Sequence, residues 1–134
     1  MLVAVTLTGC STFQKDWERL AQTPAPQSPE GRWDGTWKST ASGHTDRLRC
    51  ILEKTGDATY LARFHANYRK VLNFGYAVPL HAVKRDDGLD IAGEANLGWY
   101  AGGRYFYDGK LTDTNFFSTY RCKSDHGTFE MNRP

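Results

Sequence analysis

The chain has 134 residues, 40% apolar and 13% aromatic, enough to bury one core and too few for two. Its 17 basic and 15 acidic side chains leave a formal charge of +2 with no run of Lys or Arg, which argues against nucleic acid as a partner. No stretch approaches the roughly 20 apolar residues that a helix needs to cross a bilayer, so membrane attachment would rest on lipid alone.

The chain opens with the apolar run Leu2-Val3-Ala4-Val5, followed by Leu7-Thr8-Gly9-Cys10. This pattern resembles the lipobox of bacterial lipoproteins, in which a branched apolar residue and two small ones precede a lipidated cysteine. The resemblance implies that Leu7, Thr8 and Gly9 enter a signal peptidase in extended form, that residues 1–9 are the end of a signal segment, and that the Cys10 thiol takes the diacylglycerol. A signal peptide normally begins with a basic region and runs about 15 to 30 residues. No Lys or Arg precedes Cys10, so the true start is expected upstream; the alternative is a short core strand ending in Gly-Cys. At about 0.8 kcal/mol per buried methylene, two or three acyl chains anchor durably where one does not. The implied location is the cell envelope, with the protein facing the periplasm or the exterior. Ser11, where an Asp would favour inner-membrane retention, leans towards the outer membrane of a Gram-negative cell.

Residues 10–30 read as a lipid-anchored tether. Thr12 is placed to cap a short helix over residues 13–21, with Phe13, Trp17 and Leu20 on one face. Pro24, Pro26 and Pro29 then exclude helix and ladder, leaving an extended spacer.

From Gly31 the chain alternates with period two, the signature of strands with one face in and one out. Residues 31–39 place Gly or Trp at odd positions up to Ser39. Residues 47–53 turn Leu48, Cys50 and Leu52 inward, and a turn follows at 54–57. Tyr60, Ala62, Phe64, Ala66 and Tyr68 face inward from the third strand, large and small in turn, as a narrow interior requires. Phe74, Tyr76, Val78 and Leu80 form one face of a fourth strand, where Pro79 marks a bulge or an edge. A hairpin turn at 84–88 leads to a strand over 89–95. Then come a glycine-punctuated loop at 97–103, a strand over 104–112, and a closing hairpin from 115–123 and 128–133. The predicted fold of residues 31–134 is therefore all-β: about eight strands in an antiparallel meander, closed or nearly closed into a small barrel.

The Gly31-x-Trp33-x-Gly35-x-Trp37 opening is similar to the first strand of calycin-like barrels, the group of lipocalins, fatty-acid-binding proteins and avidins. The closing hairpin, Phe117-Ser118-Thr119-Tyr120 through Asp125-His126-Gly127-Thr128-Phe129-Glu130-Met131, resembles the end of small bacterial lipoproteins with such barrels. The resemblance implies an architecture; no ligand carries over, because the chain lacks the lipocalins' C-terminal helix and the biotin contacts of avidins cannot be mapped onto it.

No catalytic set can be assembled, so an enzyme is not expected, and neither is a cofactor. His44 and His126 fall in turns, His65 and His81 in outward or edge phase, and none has a metal-ligand spacing; all four read as surface or turn residues. Ser42-Gly43-His44 is a turn, not a nucleophile elbow. Asp86, Asp87 and Asp90 could hold calcium, but a hairpin turn accounts for them more simply, and no metal site is assigned. With Cys10 lipidated, Cys50 and Cys122 remain as an even pair, which in an oxidising compartment points to a disulfide across a narrow core, although meander closure sets their strands two apart; the alternative is two buried free thiols.

The aromatic residues carry the functional reading. Trp33, Trp37, Tyr60, Phe64, Tyr76 and Tyr105, together with Tyr68, Phe74, Tyr107, Phe116 and Tyr120, exceed what volume alone asks of a small core. They either line a cavity for a small apolar or amphipathic ligand or simply fill the barrel. Trp99 and Tyr100, between glycines, form a loop that closes the mouth, plugs it or touches a partner. The expected function is a membrane-anchored ligand-binding barrel; the alternative is an envelope protein-interaction or inhibitor-like module with a filled barrel.

Overall fold

The computed structural model describes residues 9–24, 28–69, 72–99 and 102–134, with side chains in the first helix from Thr12 onward. Leu7, Thr8 and Tyr100 lie outside the described residues. Eight strands follow one helix: α1 (Gly9–Ala21), β1 (Gly31–Ser39), β2 (Thr45–Gly56), β3 (Thr59–Tyr68), β4 (Leu72–Arg85), β5 (Gly88–Asn96), β6 (Arg104–Leu111), β7 (Asn115–Arg121) and β8 (His126–Asn132). Each strand pairs antiparallel with the next, and β8 returns to β1 to close the barrel. Closure satisfies the edges that an open meander would leave unpaired.

The closing ladder depends on Gly35. It pairs with Leu48 on one side and Met131 on the other, and a Cβ at this position would run into the Glu130 carbonyl. The glycine between Trp33 and Trp37 thus lets β1 and β8 approach closely at the seam, a common use of glycine in small barrels.

The interior is filled at the end where β1, β3, β5 and β7 begin. Trp33, Leu52, Leu80, Leu111, Phe116 and Met131 are buried there. Trp33 meets Phe116 edge-on at 5.8 Å, donates from Nε1 to the Pro29 carbonyl at 3.0 Å, and is covered by the Arg133 guanidinium at 4.1 Å. Each large apolar side chain so buried contributes about 1.5 to 3 kcal/mol.

Two departures from the sequence reading concern the tether and His65. The helix starts at Gly9, so Thr12 lies within it and is not its cap, and Gly9 and Cys10 fall in its first turn. The helix does not belong to a free spacer. Phe13 and Trp17 are buried on the outer wall against Ile51, an apolar residue in outward phase. Arg49 lies over both rings, 5.2 Å from Phe13 and 5.1 Å from Trp17, and donates to Gln14 at 2.9 Å. Asp16 accepts from Arg63 at 2.8 Å. The proline-bearing segment connects this docked helix to β1. Beneath the helix His65, expected at the surface, is buried and stacked on Phe13 at 5.2 Å. It kept its outward phase; the helix covers it.

Burial, and then the nearby Arg49, lower the His65 pKa from its ordinary 6.5. The folded state therefore favours the neutral ring. Its contribution is complete above about pH 6.5 and is lost as pH falls through that value towards the lowered folded one. Denaturant midpoints of the wild-type chain should drop between about pH 7 and pH 5 relative to those of His65→Gln; parallel curves would contradict this assignment.

Candidate functional site

The two ends of the barrel differ. Where β1, β3, β5 and β7 finish, inward-phase side chains are only partly covered: Trp37, Tyr68, Tyr76 and Tyr105 are half-buried, while Leu72 is 49% and Phe74 44% exposed. This end is the mouth. Its shape follows from register. β4 pairs with β3 from Leu72 to His81, but with β5 only from Leu80 to Arg85. The ladder to β5 stops one residue past Pro79, whose missing N–H suits an unpaired edge. Among the described residues the stretch Leu72–Pro79 thus has no ladder on its β5 side, and β3 and β4 project past the end of β5.

The aromatic residues form a continuous series from floor to mouth. Phe116 and Phe129 lie 5.3 Å apart, Phe129 lies 5.4 Å from Phe64, and Phe64 stacks on Tyr76 at 5.2 Å and on Tyr107 at 6.2 Å. Tyr105 continues it, 6.4 Å from Tyr107 and 6.2 Å from Tyr120. The rings change from phenyl to phenol as they near the mouth, so hydroxyls appear where partners are available. Tyr76 and Tyr107 share a hydrogen bond, and burial raises both phenols well above their usual value. Tyr120 donates to Asp125 at 3.2 Å, and the Ser39 hydroxyl donates to the other oxygen of the same carboxylate at 2.6 Å. At the rim Trp37 stacks on Tyr68 at 6.1 Å with the His44 ring against both.

The expected residues therefore separate into three groups. Trp33, Tyr60 and Phe64 are buried and fill the core. Trp37, Tyr76 and Tyr105 are half-buried towards the mouth, Trp37 against Tyr68 and His44, Tyr76 on Phe64, and Tyr105 between Tyr107 and Tyr120. Trp99 is 91% exposed beyond them. Sequence reasoning missed Leu72 and the Ser39–Asp125 pair. Ser39 was legible as the last inward position of β1, but its partner lies 86 residues away.

The disulfide is not formed: Cys50 and Cys122 are free thiols. Cys50 sits deep in the wall, paired with Trp33 and Phe64, whereas Cys122 lies at the rim just past β7. Strands β1 and β8 separate β2 from β7, so the inward phase common to both residues does not bring them together. Burial pushes the Cys50 thiol up. Burial also opposes ionisation of Cys122, but hydrogen bonds from the hydroxyls of Tyr105 and Ser124 and from the N–H groups of Ser124 and Asp125 outweigh it and bring the thiol below its usual value. Gly102, at φ +99°, lies against this pair; a Cβ there would stand 2.6 Å from the Tyr105 hydroxyl and 3.2 Å from the Cys122 sulfur.

Elsewhere, a cleft of about 180 Å³ lies between the end of α1 and the wall. Its charges pair among themselves, Arg63 with Asp16 and Glu53, and Arg19 with Asp16, so it belongs to helix docking. Asp90 pairs with Arg85 and Asp87 with Lys110, and among the described residues no cluster of three or more metal-ligating groups occurs.

Three designed barrels share this fold. A redesigned β-barrel, mFAP1, solved bound to DFHBI, superposes with a TM-score of 0.60 at 15% identity, covering 78% of this chain and 94% of its own. The redesigned barrel b11L5F_LGL gives 0.57 at 16%, covering 78% and 90%. A de novo designed fluorescence-activating β-barrel gives 0.57 at 12%, covering 84% and 99%. At such identities the likeness is one of fold. No family model and no curated protein matches the sequence.

In a chain carrying Cys10→Ser, a thiol reagent should label Cys122 alone in the native state, at a lower pH than an ordinary cysteine requires, and both thiols after unfolding. Equal native labelling of Cys50 would refute its placement in the core.

Proposed function

We propose that this chain is a non-enzymatic, extracytoplasmic lipoprotein whose barrel mouth binds a small amphipathic molecule with a planar apolar body and a polar edge. The observation that carries the binding reading is the two half-buried phenols Tyr76 and Tyr105, backed by the buried Tyr107 and Tyr120, at the partly covered end of an otherwise filled interior. Stacked phenols offer flat apolar surface, and their hydroxyls orient a polar edge; convergent groups of this kind at the mouth of a small barrel are the usual basis of ligand selectivity. A filled floor restricts the ligand to the upper half. Support by analogy comes from the designed barrel of like fold that holds DFHBI. The competing reading, a module that binds an envelope protein, draws on the exposure of Trp99.

The test uses 1-anilinonaphthalene-8-sulfonate, a planar aromatic anion, as the probe. Saturable one-site fluorescence enhancement is expected with the native chain. Tyr105→Ala or Tyr76→Ala should weaken it by about tenfold, and Tyr105→Phe by less, since the ring is kept. No enhancement by the folded chain, or equal enhancement by all variants, would sink the binding reading.

The anchoring reading rests on the sequence around Cys10. Expressed in a bacterial host with a basic signal-peptide start fused ahead of Met1, the protein should incorporate radiolabelled palmitate and lose the label in Cys10→Ser. Labelling that survives the substitution would place the modification elsewhere and reject the assignment.

A further inference from the structure

The direction of α1, the charges of the turns and the exposed apolar residues all distinguish the same end of the barrel. Phe13 packs beside Arg49 and His65, Trp17 beside Arg32 and Arg49, and Leu20 beside Ile51. The helix thus runs down the wall from mouth to closed end, and its first residues point towards the mouth. Cys10 stands three residues before the docked Phe13, a rise of about 5 Å. An acyl chain there would hold the barrel close to the bilayer, mouth foremost.

The turns divide by charge. Those at the closed end carry Asp57, Asp86, Asp87 and Asp113, flanked on the strand ends by Lys84, Arg85 and Lys110, of which Arg85 pairs with Asp90 and Lys110 with Asp87. The mouth turns carry Arg69 and Lys123, flanked on the strand ends by Lys38 and Arg121. Of the acids at this end, Asp125 accepts from Ser39 and Tyr120, Asp46 accepts from the Arg69 N–H at 2.7 Å, and the exposed Glu94 pairs with Arg104 at 3.1 Å. Large apolar side chains are exposed within this basic border, namely Leu72, Phe74 and Trp99. The other exposed ones described, Val83 and Phe117, stand apart on the wall with β5 and β6 between them. Exposed apolar and tryptophan side chains ringed by cations are the composition of a surface that seats in the headgroup region of an anionic membrane.

We propose that the mouth rim, Leu72, Phe74 and Trp99 within the border of Lys38, Arg69, Arg121 and Lys123, is a lipid-contacting face that seats the barrel mouth-down on an anionic bilayer. The inference deepens the anchored reading and rests on it for the role of Cys10; the rim itself is tested without the anchor.

The full chain carrying Cys10→Ser is sedimented with vesicles of phosphatidylcholine alone and of phosphatidylcholine mixed with phosphatidylglycerol. Binding is expected to the mixed vesicles and to be much weaker on the neutral ones. Replacing both Phe74 and Trp99 by Ser should lower partition onto mixed vesicles by about tenfold or more. Arg69→Glu with Lys123→Glu should lower it by at least about fivefold for each cation lost, an effect that salt reduces. Val83→Ser serves as the control for a wall position and should bind as the parent does. Unfolding midpoints establish that each variant is folded. Three results would overturn the proposal: no binding to mixed vesicles, equal binding by the rim variants, or a dimer of the parent chain that the Phe74 and Trp99 changes dissolve while vesicle binding is absent. Failure of acylation at Cys10 leaves this outcome untouched, so the two readings fail separately.

Discussion

Closure of the eight-stranded sheet is the constraint on which the rest of the molecule depends. The seam between β1 and β8 forms because Gly35 admits the Glu130 carbonyl where any Cβ would collide, and Gly109 and Gly127 allow similar approaches to Phe117 and Lys38. Once the ring is closed, the interior radius is set, and the inward positions must divide a fixed volume. Small residues at Ala62 and Ala66 alternate with Phe64 and Tyr60 for that reason. The volume is used up at the closed end by Trp33, Phe116 and Met131. Any function of the interior is therefore displaced to the end where β4 leaves β5 and the phenols begin.

The outer wall obeys a second requirement. The barrel closes its own sheet, yet on the outer wall of β2 and β3 Ile51 and the His65 ring would stand exposed beside Arg49 without α1. The helix resolves this by laying the Phe13 and Trp17 rings beside Arg49, a cation–π arrangement worth about 2 kcal/mol where desolvated, while Asp16 engages Arg63 at its margin. The segment before the barrel is thus a structural part of the domain, which fixes the direction from which the chain arrives.

Much of this was legible in the sequence because period-two alternation is a local property. The bounds of β1 are those read from the glycine and tryptophan pattern, and the inward faces of β2, β3 and β4 follow the same rule. Pro79, whose missing donor marks a bulge or an edge, stands where the ladder to β5 ends. What escaped were properties that depend on two distant segments at once. The stretch Leu48-Arg49-Cys50-Ile51-Leu52 is buried on both faces, a departure from alternation that signals a covering element, but the apolar face of α1 had no partner until the wall was assembled. The proposed disulfide counted parity and phase, and neither records how far along the barrel axis a residue lies. Likewise the aromatic residues could be named from the sequence, but dividing floor from mouth requires the register between strands.

Polarity along the barrel axis ties the two proposals together. Along the series Phe116, Phe129 and Phe64 the phenyl rings give way to the phenols of Tyr76, Tyr107 and Tyr105, and beyond them stand exposed Leu72, Phe74 and Trp99. An amphipathic molecule meets this sequence in reverse, apolar body first, with its polar edge left among the hydroxyls. If the rim is seated in lipid, such a molecule reaches the tyrosines from the bilayer, where its concentration is set by partition and exceeds that in water by the same transfer energy that makes it apolar. The site then needs only modest affinity, since the mouth tyrosines compete with lipid and not with water for the ring, and their hydroxyls supply the one contact that the bilayer interior does not. Selectivity in this arrangement rests on Tyr76, Tyr105 and Tyr120, and occupancy rests on the face that holds the mouth against the membrane.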